Sequence, residues 1–97
     1  MHGIAYDEIH DEFTVVQSFA QAILTFAGGA DGETPPLRVI QGSKTRLSNL
    51  DKVTVDPVNN EIYVPAGGIF VYDRMANGDV APKRVPNWLR PAASVNL

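Results

Sequence analysis

The chain has 97 residues, no cysteine and a formal charge of −3, with 44% hydrophobic and 20% charged residues. Such a composition suits a small globular protein and excludes a disulfide framework, thiolate metal sites and a broad cationic footprint for nucleic acid. No stretch approaches the ~18–20 apolar residues of a membrane span, and no charged segment leading into an apolar core, the mark of a signal peptide, is visible in these 97 residues.

In chain order, residues 3–15 come first: Gly3-Ile4-Ala5-Tyr6-Asp7-Glu8-Ile9-His10-Asp11-Glu12-Phe13-Thr14-Val15. Two apolar runs flank a polar centre, the pattern of a hairpin. The crowded carboxylates and imidazole of Asp7 to Glu12 could hold a divalent cation. Strand alternation, however, points neighbouring side chains to opposite sides, so the better reading is a solvated turn in which Asp7 braces the backbone. Residues 15–26 are the one serious competitor for a helix. They read instead as two strands and a longer turn, because their later counterpart contains Pro65, Gly67 and Gly68. A turn at 30–33 and a short run at 36–39 close the first unit.

The second unit repeats the first. Asp7, Glu12 and Val15 match Asp56, Glu61 and Val64 at an offset of 49 residues. Ile23-Leu24-Thr25-Phe26 matches Ile69-Phe70-Val71-Tyr72, and Pro36-Leu37-Arg38-Val39 matches Pro82-Lys83-Arg84-Val85, at an offset of 46. The shortfall falls at Phe19-Ala20-Gln21, where a loop tolerates deletion. In this unit four runs stand out, at 53–55, 61–64, 69–72 and a weaker one at 83–85, rich in β-branched and aromatic residues. Asp56-Pro57-Val58-Asn59-Asn60 supplies a hairpin turn, and Asp56 is expected to brace it as Asp7 does. Arg38 and Arg84 recur at equivalent positions on the outermost run, where both are expected to be solvated surface residues rather than an anion site.

Four strands in a period of 46–49 residues are the arithmetic of a β-propeller blade. The expected fold is therefore all-β: two four-stranded antiparallel blades, residues 1–49 and 50–97. Gly3-Ile4-Ala5-Tyr6-Asp7, Glu61-Ile62-Tyr63-Val64, Ile69-Phe70-Val71-Tyr72-Asp73 and the Ala-Asn-Gly-Asp-Val-Ala-Pro-Lys-Arg-Val run from Ala76 resemble successive parts of bacterial NHL-type propellers. Lys52, where that family usually has Gly, and Pro65, which ends a strand early, depart from its pattern. The resemblance covers about residues 3–85 and implies a closed ring, most often of six blades, used as a binding platform.

Two blades leave two sheet faces uncovered, each of roughly 300 Å² in projection, comparable to the largest apolar patches that monomers carry. Leu97 sits in the repeat where Leu50 sits, and Met1 takes the same place ahead of the first unit. Head-to-tail homo-oligomerisation is thus expected, three copies giving six blades. Met1, Ile4, Trp88, Val95 and Leu97 are the candidate inter-subunit contacts, with Trp88 replacing Gly42 of the first unit as an aromatic anchor.

The expected function is that of a non-enzymatic binding or scaffold module, of natural, fragmentary or engineered origin, whose loops meet a protein or small-molecule ligand. The chain has no nucleophile elbow and no glycine-rich phosphate loop, and His2 and His10 fall in no triad or metal motif. No cofactor, metal, nucleic acid or membrane is expected. A multivalent sugar-binding lectin is an alternative, and a metal-dependent lactonase-like hydrolase a weaker one.

Overall fold

The computed structural model describes residues 3–48, 50–65 and 68–85. Seven strands occur among them: β1 (Ile4–Asp7), β2 (Glu12–Gln17), β3 (Ala22–Ala27), β4 (Arg38–Ile40), β5 (Thr54–Asp56), β6 (Glu61–Pro65) and β7 (Ile69–Asp73), with one 3-10 turn at Ser43–Thr45. They form two antiparallel sheets in sequence order, β1 to β4 and β5 to β7. The described chain is all-β.

Local chemistry explains why the two units start alike. Asp7 Oδ1 accepts the N–H groups of Ile9 and His10, both at 3.0 Å, and Oδ2 meets His10 Nδ1 at 2.8 Å. Asp56 Oδ1 likewise accepts Val58 and Asn59 N–H at 3.1 and 3.2 Å, and Oδ2 accepts the Asn59 amide at 2.8 Å. Each turn ends on a left-handed residue, Asp11 at φ 54° and Asn60 at φ 58°, types that tolerate this region. The acidic cluster of the first unit is therefore a braced hairpin turn, like the turn from Asp56 to Asn60 in the second.

The units differ at their outer edge. β4 pairs with β3 over three residues, Ile23 with Ile40, Leu24 with Val39 and Thr25 with Arg38. Among the described residues, which end at Val85, the equivalent run of the second unit makes one antiparallel bridge, Val71 to Arg84, beside a three-stranded second sheet where four strands were expected. β4 also receives a cover: Gly78 N–H donates to Val39 O at 2.6 Å, Gln41 N–H donates to Gly78 O at 3.1 Å, and Asn77 Oδ1 accepts Val39 N–H at 2.9 Å. A loop of the second unit thus closes the edge of the first.

Strand register sorts the side chains into faces. In the first sheet one face carries Ala5, Thr14 and Thr25 in one row and Val16, Ile23 and Ile40 in another. The opposite face carries Ile4, Val15, Leu24 and Val39, then Tyr6, Phe13 and Phe26. In the second sheet Val55, Ile62 and Tyr72 share a face with Val64 and Phe70, while Thr54, Tyr63 and Val71 share the other with Pro65 and Ile69.

The core forms between the sheets. Ile23 and Ile40 of the first join Ile62, Val64, Phe70 and Tyr72 of the second, with Leu50 and Val53 of the connection, in one buried cluster. The Tyr72 hydroxyl donates to the Thr45 carbonyl at 2.5 Å, and the Arg46 guanidinium lies 5.0 Å over the Phe70 ring. Burial raises the Tyr72 phenol to about 12.

Candidate functional site

Among the described residues, stacking covers one face of each sheet and leaves the other open on the first sheet and open in part on the second, where Val71 and Glu61 are buried. On the first sheet the open face is apolar. Ile4 and Tyr6 are 45% and 60% exposed, and Phe13 and Phe26 stack with ring centres 5.3 Å apart. Val15, Leu24 and Val39 beside them are half-buried. On the second sheet the open face holds a hollow lined by Thr54, Asp56, Tyr63, Pro65 and Ile69.

An acid–arginine pair stands at the same place in both units. Glu61 accepts from Arg84 at both carboxylate oxygens, at 2.7 and 2.8 Å, and from the Tyr63 hydroxyl at 2.6 Å. Lys83 Nζ adds a contact at 3.2 Å. The Arg84 hydrogen bonds, then that of Tyr63, hold the Glu61 carboxyl down at about 2. The same bonds raise Tyr63 and Arg84 above their ordinary values.

In the first unit Glu12 accepts from Arg38 at 2.5 Å and from Arg74 at 2.9 Å. Arg38 Nε donates to the Arg74 carbonyl at 3.1 Å. Arg74 belongs to the second unit, so this pair is part of the joint between sheets. The expectation of a solvated surface residue is corrected for Arg38, whose side chain is 11% exposed; at 50%, Arg84 is open. The difference arises because the loop after β7 lies over β4.

The remaining sequence-derived candidates divide simply. Ile4 opens β1 on the open apolar face. Met1, Trp88, Val95 and Leu97 lie outside the described residues. Asp7 is engaged in its turn: burial alone would raise its carboxyl, yet hydrogen bonds from the His10 backbone and ring and from Ile9 bring it below its usual value. Among the described residues no three His, Cys, Asp or Glu gather into a metal-holding group.

Glu12, Glu61 and Arg74 were not singled out as partners from the sequence. The signal was present in part: Glu12 recurs as Glu61 and Arg38 as Arg84, and a joint recurrence of opposite charges points to a pair. Compared with known families, curated proteins and solved structures, the chain matches none.

Proposed function

We propose that the chain is a non-enzymatic binding or scaffold module, assembled from several copies into a closed β-propeller, with three copies and six blades as the favoured ring. The single observation that supports this best is the stacking of two repeated sheets, which leaves an apolar face on one and a hollow on the other. A wide apolar sheet face in water is unfavourable at roughly 25 cal/mol per Å², and further sheets stacked in the same sense would cover it.

The recurring acidic residues support a structural rather than catalytic reading. Asp7 and Asp56 hold turns, while Glu12 and Glu61 hold arginines. Ligands would then meet the loops at the ends of the strands, as in other closed-ring platforms.

Light scattering coupled to size exclusion tests the reading directly. The expected result is a discrete particle of three times the chain mass. A single-chain mass at micromolar concentration would rule the ring out.

A further inference from the structure

We infer that a second copy of this chain seats the open apolar face of its first sheet in the hollow of the second sheet, repeating between copies the joint already made within one. This inference rests on the multi-copy reading above and adds to it the surfaces and the sense of the contact.

The joint within the chain is the template. Its seat is the face of the first sheet that carries Ala5, Asp7, Thr14, Val16 and Ile23, of which Asp7, Thr14 and Ile23 are buried. Moved forward by the repeat offsets of 49 and 46, these positions become Thr54, Asp56, Tyr63, Pro65 and Ile69. Those five residues are the lining of the hollow. The open hollow is thus the repeat equivalent of the surface on which the second sheet sits.

The covering side obeys the same correspondence. The second sheet covers its seat with Ile62, Val64, Phe70 and Tyr72, none more than 7% exposed. Their counterparts in the first sheet are Phe13, Val15, Leu24 and Phe26, all on one face, all apolar and all incompletely buried. Apolar type is kept at each position and only its covering is missing. A partner with a matching surface is therefore already specified by the chain itself: another copy.

The two surfaces differ, so the contact is heterologous and runs head to tail. Arg84 fits this sense. It is half exposed, whereas its counterpart Arg38 is 11% exposed beneath the loop of the following unit.

The test uses two variants, one on each surface, followed by their mixture. Leu24→Asp charges the apolar face and Ile69→Asp charges the hollow. Light scattering should find each variant at single-chain mass at concentrations where the unaltered chain assembles, with unchanged far-UV circular dichroism. An equal mixture should give a particle of two chains and nothing larger, because each variant keeps one sound surface and the two sound surfaces are complementary. Should Ile69→Asp remain fully assembled while Leu24→Asp dissociates, the apolar faces pair with each other; the head-to-tail joint is then overturned and the multi-copy reading stands. Assembly by both variants overturns the joint as well, whereas a monomeric unaltered chain overturns the multi-copy reading itself. If either variant loses its β signal, Tyr6→Arg and Thr54→Arg place charge on the same two surfaces at exposed side chains and are read in the same way.

Discussion

Phe26 and Tyr72 occupy the same place in two copies of one sequence pattern, yet Tyr72 is 1% exposed and Phe26 lies half-buried on an open face. The same contrast holds between Val64 and Val15, and between Phe70 and Leu24. The turns, in contrast, agree almost atom for atom: Asp7 and Asp56 each brace two backbone N–H groups, and Asp11 and Asn60 share a left-handed conformation. Local structure in this chain is thus a property of each unit, while burial is a property of where a unit stands in the stack. A sheet with a neighbour on its apolar face has a core; the same sheet without one has an exposed apolar surface.

That contrast can be broken most severely in the core. Phe70→Ala removes a ring that is 7% exposed and should lower stability by about 3–4 kcal/mol. Leu24→Ala, at the matching but open position, should cost about 1 kcal/mol in single chains, since little burial is lost. Chemical denaturation at concentrations below assembly measures both, and equal losses would dissolve the distinction between covered and open faces.

The charged pairs give a smaller difference. Arg38→Ala leaves Glu12, 13% exposed, with Arg74 as its remaining cation and should cost about 2 kcal/mol. Arg84→Ala should shift the thermal midpoint less, because half the arginine is in solvent and Lys83 still reaches Glu61. A larger shift at Arg84 than at Arg38 would contradict the assignment of Arg38 to the joint.

Acid sensitivity sharpens the comparison at the smallest scale. The folded-state Glu61 carboxyl titrates at about 2, below its ordinary 4.5. Its contribution to stability is therefore complete above pH 4.5 and lost as pH falls toward 2. Asp7 and Asp56, also lowered in the folded state, act in the same sense. An acid titration followed by circular dichroism should lose β signal in that window, and Glu61→Gln should flatten the part that Glu61 supplies. An acid limb unchanged in Glu61→Gln would show that its ion pair does not stabilise the fold.

Much of this is legible in the sequence. The hairpins at Asp7 and Asp56 follow from aspartate's reach to its own backbone two and three residues on, and the strands follow from alternation of β-branched and aromatic residues. The short fourth run of the second unit is visible in the sequence as a weak pattern, and among the described residues it makes one bridge, Val71 to Arg84. The site was less legible. Arg38 looked like a surface cation because an outermost strand faces water in an isolated sheet; nothing near it in sequence announces that residues 74–79 fold back over it.

By itself the sequence determined the repeat, the turns and the alternation within each strand, because all of these depend on residues a few positions apart. It also set two unlike faces on each sheet. Which of those faces is covered was decided only by the tertiary structure, since both carry apolar side chains and alternation distinguishes them without ranking them. Stacking buries Ile23 and Ile40 against Ile62 and Val64, draws Arg74 to Glu12, and leaves the first sheet's aromatic face and the second sheet's hollow as the two unmatched ends. Burial is a contest between distant surfaces, and only the folded chain holds them together.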